Sequence, residues 1–264
     1  MSGSVSPIEE LVAVMAKLRD PESGCPWDRE QTFASIVPHT LEEAYEVADA
    51  IEQGDRAAVC DELGDLLFQV VYYAQLGAEE GVFDFNKIAA GVRDKMIRRH
   101  PHVFGERIFH TAAEQRETWE AIKADEKARH GKPTQGALAG VPLALPALTR
   151  SAKLQSRAAR VGFDWPDIES VFDKIREELE ELEQAVAENS NVAEELGDLL
   201  LATVNLARKL KVDPEQALRA GNSKFERRFS ALEDILQQSG ETPSQVSFAR
   251  LEAAYQAAKA AEKG

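Results

Sequence analysis

Apolar residues recur three and four apart along almost the whole chain, as at Leu63, Leu66, Leu67, Val70, Val71 and Ala74. That spacing is one face of an α-helix. No run of useful length alternates apolar and polar residues as a half-buried strand would. Helix-breaking residues interrupt the pattern at Gly54-Asp55, Gly81, Pro101 and Gly131-Lys132-Pro133, so the chain reads as all-α. Between Ala128 and Pro146 Gly and Pro become frequent (Gly131, Pro133, Gly136, Gly140, Pro142, Pro146). This stretch predicts a linker at 128–146 between two helical domains, 1–127 and 147–264.

The halves on either side of the linker repeat. LEEAYEVADAI (41–51) matches REELEELEQAV (176–186), each with Glu-Glu-x-x-Glu. DELGDLLFQVV (61–71) matches EELGDLLLATV (194–204), sharing Glu-Leu-Gly-Asp-Leu-Leu. FDFNKIAAGVRDKMIRRH (83–100) aligns with VDPEQALRAGNSKFERRF (212–229), and Trp119 with Lys123 answers Tyr255 with Lys259. Matched blocks in the same order identify an internal duplication.

Charge narrows the partners. The formal net charge of −15 argues against a nucleic-acid polymer or an anionic membrane, both of which require basic patches. Small phosphorylated ligands remain compatible, because a metal ion can neutralise protein and ligand together. Cys25 and Cys60 form no CxxC pair and predict no disulfide framework. The amino terminus has neither the basic start nor the long apolar core of a signal peptide, and no stretch reaches the roughly 18 apolar residues of a membrane span. A cytoplasmic protein is the expectation.

Within each repeat, two helices meet across a short turn, Gly54-Asp55 in the first and Asn189-Ser190-Asn191 in the second. Glu43 and Glu46 lie three apart on one helical face, and Glu62 and Asp65 share that spacing on the next helix. Folding the hairpin brings the four carboxylates together; Glu178, Glu181, Glu195 and Asp198 do the same in the second repeat. Glu-rich helices are ordinarily solvated faces, but Glu62 and Asp65 interrupt a run too apolar for a generous wet face. Carboxylates crowded beside apolar surface repel one another and lose hydration, which a cation relieves. Oxygen donors without His or Cys suit Mg²⁺, with Mn²⁺ as substitute. A di-iron bundle would use Glu-x-x-His, and none of the histidines (39, 100, 102, 110, 130) has Glu three residues before it.

A basic complement follows. Lys224, Arg227 and Arg228 share a helical face suited to phosphate oxygens, with a partial counterpart in Lys95, Arg98 and Arg99. Tyr255 and Lys259, one turn apart, offer a ring for a base and a charge for a phosphate. Asn205, two turns beyond Asp198, is a candidate for hydrogen bonding to ribose or base.

These motifs resemble the MazG family of all-α nucleoside triphosphate pyrophosphohydrolases. The signature is Glu-Glu-x-x-Glu followed by Glu-x-x-Asp, here Glu42-Glu43 and Glu46 with Glu62 and Asp65, and Glu177-Glu178 and Glu181 with Glu195 and Asp198. GCPWDREQTF (24–33), RRHPHVF (98–104), VGFDW (161–165) and KFERRF (224–229) are similar to two-domain members. The resemblance implies helical-bundle domains, a homodimer, and Mg²⁺-dependent cleavage of NTPs and dNTPs to monophosphate and pyrophosphate. It also implies a part in nucleotide-pool house-cleaning or alarmone-linked regulation, and it places hydrolysis mainly in the carboxy-terminal repeat. There the metal would sit on Glu178, Glu181, Glu195 and Asp198, with Glu177 orienting or deprotonating the attacking water and Lys224, Arg228 and Lys259 offsetting charge on pyrophosphate. The sequence departs from the family at position 255, Tyr where Trp is usual, and places Arg93 opposite Asn222 and His100 opposite Phe229. The competing class is a non-enzymatic helical interaction protein, which predicts no Mg²⁺ response and no turnover.

Overall fold

The computed structural model describes residues 5–105, residues 111, 114, 118, 119, 122 and 126, and residues 136–262. Among the described residues there is no strand, so the structure is all-α as the periodicity requires. The chain divides into two compact units, Met1–Gly131 and Lys132–Gly264.

The amino-terminal unit contains α1 (Pro7–Leu18), α2 (Pro26–Glu30), α3 (Phe33–Gln53), α4 (Arg56–Glu79), α5 (Phe85–Arg99) and α6 (Pro101–Phe104). Ser6 and Glu9 close a capping box on α1, and Thr32 with Ser35 does so on α3, satisfying amides that a helix start leaves free. Gly54 ends α3 in the left-handed region at φ 76°, where a residue with a Cβ would be strained. The Asp55 side chain then accepts from the Ala57 and Ala58 amides, so α4 restarts at once and α3 and α4 form a hairpin. The core gathers at the open end of that hairpin, where Met15, Ile36, Val71, Tyr72 and Leu76 are buried. Burying each large side chain there contributes about 1.5–3 kcal/mol.

The carboxy-terminal unit contains α7 (Ala147–Arg160), α8 (Ile168–Glu188), α9 (Val192–Lys209), α10 (Pro214–Gln238), a 3-10 turn (Pro243–Gln245) and α11 (Phe248–Ala261). Its α8–α9 hairpin turns on Asn189 (φ 52°) and Asn191 (φ 50°), asparagine being one of the few residues besides glycine that tolerates this conformation. Helices α10 and α11 pack through Leu232, Leu236 and Ala254. Arg157 on α7 donates to the carbonyls of Leu138, Ala139 and Gly140. The later part of the Gly/Pro-rich stretch is thereby held against α7; residues 128–135 of it lie outside the described residues. No described helix is long and apolar enough to cross a membrane.

Candidate functional site

Each hairpin carries a carboxylate cluster. In the carboxy-terminal unit Glu178 and Glu181 come from α8 and Glu195 from the first turn of α9, with one oxygen of each within 4.8 Å of the others. Glu178 is buried, Glu195 half-buried and Glu181 exposed. Burial pushes the Glu195 carboxyl above the usual range, reinforced by the charges of Glu181, Asp198, Glu194 and Glu178. Asp198 is thus an electrostatic neighbour of the group, one turn beyond Glu195, although it lies outside the tight trio. A buried carboxylate needs a partner. For Glu178 it is Lys174, whose Nζ stands 2.8 Å from Glu178 and 2.7 Å from Glu177. Hydrogen bonds donated to Glu177 and then to Glu178 hold the lysine's pKa above its ordinary value. Glu177 itself is exposed and turned to Lys174.

The amino-terminal unit repeats the geometry with different neighbours. Here Glu43, Glu62 and Asp65 have oxygens within 4.8 Å of one another. Burial raises the Glu43 carboxyl, followed by the charges of Asp65 and Glu46; burial also raises Glu62, followed by Glu46 and Asp65. Glu46 therefore belongs to the same field while standing outside the trio. Among the described residues no cation forms an ion pair with Glu43, Glu46, Glu62 or Asp65. The position matching Lys174 is His39, which lies 3.7 Å from Glu42. Beside Glu43 sits a buried amide, Gln69: its Nε2 is 3.5 Å from the Glu43 Oε1, and its own Oε1 is buried with no hydrogen-bond partner.

The basic residues occupy α10 and α11. Lys224 and Arg227 are exposed on α10, while Arg228 is half-buried and forms an ion pair with Glu262 at 2.7 Å. Glu262 and Tyr255 raise the Arg228 pKa. Tyr255 packs against Phe225, ring centroids 6.2 Å apart, and against the Leu232, Leu236 and Ala254 cluster; Lys259 is half-buried one turn on. Asn205 accepts from Arg208 at 3.1 Å. Within the described residues no ion pair joins Lys224, Arg227 or Arg228 to the carboxylate cluster of this unit. In the first unit Arg98 and Arg99 both clasp Glu126, at 2.8 Å and 3.1 Å through their Nε atoms. Lys123 lies outside the described residues.

Several sequence motifs work as staples that hold the hairpins. Tyr72, buried at the end of α4, donates to the Asp28 carbonyl at 2.8 Å, and burial pushes its hydroxyl pKa up to about 12. Arg19 lies over the Tyr72 ring, pairs with Glu79 at 2.7 Å and donates to the Asp28 carbonyl, which fixes the GCPWDREQTF segment to α4. In the second unit Asp164 of VGFDW binds Arg208 and, at 2.9 Å, Lys209 of α9. Lys174 and Gln69 escaped the sequence reading. Their signal was positional: Lys174 lies one turn before Glu178, and Gln69 one turn beyond Asp65, where the second repeat has Ala202.

The chain belongs to the MazG family. The model of the MazG nucleotide pyrophosphohydrolase domain matches residues 31–104 and again residues 167–231, so each match contains one hairpin and its cluster. The chain is 49% identical over 262 residues to the nucleoside triphosphate pyrophosphohydrolase of Escherichia coli (strain K12), covering 98% of this chain and 99% of that one. It is 41% identical over 255 residues to the nucleoside triphosphate pyrophosphohydrolase/pyrophosphatase MazG of Thermotoga maritima, covering 97% and 96%. A Bacillus subtilis protein, YabN, is 39% identical over 254 residues, 95% of this chain but 51% of that protein.

Proposed function

We propose that this chain hydrolyses nucleoside triphosphates to the monophosphate and pyrophosphate in a Mg²⁺-dependent reaction, with the carboxy-terminal hairpin as the main site. The observation that carries this reading is the trio Glu178, Glu181 and Glu195, three oxygen donors within 4.8 Å of one another on a hairpin the MazG model matches. The donor set is all oxygen, which fits a hard cation. Glu178, Glu181 and Glu195 would hold the metal and Asp198 would complete the set; Mn²⁺ would substitute. When bound, the ion supplies charge for the triphosphate and acidifies a water for attack at the α-phosphorus.

The chain's own residues supply position and charge. Lys174 keeps the buried Glu178 carboxylate in place. Glu177, exposed and next to Glu178, would leave Lys174 to orient or deprotonate the water. Lys224 and Arg228, with Arg227 and Lys259, would take the departing pyrophosphate, and Tyr255 and Asn205 the nucleoside. Arg228 must then exchange Glu262 for phosphate. In phosphoryl transfer such positioning and charge stabilisation provide most of the catalysis.

The amino-terminal cluster is read as a second metal site. A homodimer would cover the apolar side chains that each unit leaves exposed along its hairpin, among them Leu63 and Leu67 in one and Leu196, Leu200 and Leu201 in the other. The free thiols of Cys25 and Cys60 suit the cytoplasm, and nucleotide-pool house-cleaning is the role that follows. The test is product analysis with Mg²⁺ and each common NTP and dNTP. Monophosphate plus pyrophosphate, abolished in Glu178→Ala and Asp198→Ala, is expected. Diphosphate plus phosphate, or full turnover in either variant, would overturn the assignment.

A further inference from the structure

The two clusters share a scaffold and differ in what stands beside them. In the carboxy-terminal unit an ammonium is already in place, Lys174 at 2.8 Å from the buried Glu178. In the amino-terminal unit the corresponding residue is His39, which faces Glu42, and no cation pairs with the cluster among the described residues. Three carboxylates thus stand with oxygens within 4.8 Å of one another and no ammonium or guanidinium between them.

Gln69 is the second and independent observation. It is only 7% exposed, its carboxamide lies against Glu43, and its Oε1 has no hydrogen-bond partner. Leaving a buried acceptor unsatisfied is costly, and native structures rarely tolerate it without a use for the atom. A neutral carbonyl oxygen is a normal ligand for a hard divalent cation, and a half-turn of the carboxamide presents Oε1 where Nε2 now meets Glu43. The second repeat has Ala202 at this position and so lacks the donor.

We propose that the amino-terminal unit holds a divalent cation of its own on Glu43, Glu62, Asp65 and the Gln69 carboxamide oxygen, filled from free metal without nucleotide, whereas a cation entering the carboxy-terminal cluster must displace Lys174. The inference rests on the reading that these carboxylate clusters bind metal, and it assigns them different conditions of filling. It makes Gln69 a ligand and Lys174 a competitor for the carboxylate that a metal would use.

The experiment is Mn²⁺ binding to the full chain without nucleotide, read by the EPR signal of free Mn²⁺ and by calorimetry with Mg²⁺, the fold of each variant being checked by circular dichroism. The wild type is expected to show one site per chain that Glu62→Gln removes and Glu195→Gln leaves. Gln69→Leu, which keeps the volume and loses the oxygen, should weaken that site about tenfold or more. Gln69→Glu, which restores oxygens, should bind at least as tightly as the wild type. Lys174→Met should add a second site. A nucleotide-free site lost in Glu195→Gln but kept in Glu62→Gln, or unchanged affinity in a folded Gln69→Leu, would overturn the proposal. No nucleotide-free binding in a chain whose turnover still requires Mg²⁺ would sink this inference alone. Turnover in EDTA would sink the metal reading beneath it.

Discussion

Replacing Lys174 with Met keeps most of the aliphatic stem and removes only the charge facing Glu178. At 2.8 Å and an effective dielectric constant of about 20, the lost attraction is about 6 kcal/mol. Glu181 and Glu195, with oxygens up to 4.8 Å from that of Glu178, add repulsion when ionised. The attraction does not survive intact, because Lys174 is 28% exposed and gives up its own hydration to pair. Screening and the regained hydration bring the expected net loss to about 2 kcal/mol, below the range for breaking a fully buried pair. For a unit of this size that lowers the melting temperature by about 6 °C. The assay is thermal unfolding in EDTA, repeated in the Glu178→Gln background, where the charge to be compensated is gone and the loss should shrink to a few tenths of its value. Millimolar Mg²⁺ should stabilise Lys174→Met more than the wild type, since the vacated charge is the one a cation supplies. A Lys174→Met melting temperature within a degree of the wild type in EDTA, or an equal loss in both backgrounds, would refute the account.

Other expectations are simpler. A Cβ on Gly197 meets nothing within 4 Å, so Gly197→Ala should gain about 1 kcal/mol of helix propensity and raise the unit's melting temperature by about 3 °C; a fall would mean that another chain covers this helix face. Leu236 is fully buried between α10 and α11, and Leu236→Ala should cost about 2–5 kcal/mol in urea unfolding, with a cost under 1 kcal/mol contradicting its core role. Hydrogen bonds from Arg99 and then Arg98 hold the Glu126 carboxyl at about 2, against an ordinary 4.5. Its contribution to stability is therefore present above pH 4.5 and lost as pH falls toward 2. Glu126→Gln should remove about 1 kcal/mol at neutral pH and flatten the acid limb of the stability curve, and an unchanged acid limb would show that the pair carries no linkage.

The carboxylate clusters were legible because everything that builds them is local. Glu178 and Glu181 are a turn apart on one helix, Glu195 and Asp198 a turn apart on the next, and a three-residue turn makes the two helices meet. The duplication doubled that signal. Contacts between distant helices left no trace in the periodicity. Arg228 reads from sequence as part of a phosphate-facing stripe with Lys224 and Arg227, yet its partner Glu262 is 34 residues away on another helix. The Tyr72 hydroxyl and the Asp28 carbonyl are 44 residues apart, so GCPWDREQTF reads as a motif without showing that it staples α4. Gln69 and Lys174 are single polar residues in otherwise ordinary helical runs, and only packing reveals that one is a buried orphan and the other a counter-ion.

Duplication gave both units the same hairpin, and electrostatics separates their uses. A divalent cation bound to a triphosphate still carries net negative charge, so a site that accepts the pair must offer positive charge beyond the ion itself. The carboxy-terminal unit has it: Lys174 stands at its cluster, and Lys224 and Arg227 lie exposed on the same unit's α10. At the amino-terminal cluster the matching lysine is replaced by His39 facing Glu42, and the arginines that echo the basic face, Arg98 and Arg99, are spent on Glu126. The cluster itself is a set of carboxylates beside a neutral amide, attractive to a bare cation and repellent to a polyphosphate. Restoring the lysine tests that reasoning directly, since His39→Lys should weaken nucleotide-free cation binding at the amino-terminal cluster by supplying the competing ammonium, and undiminished Mn²⁺ affinity in that variant would show that local charge does not divide the two sites.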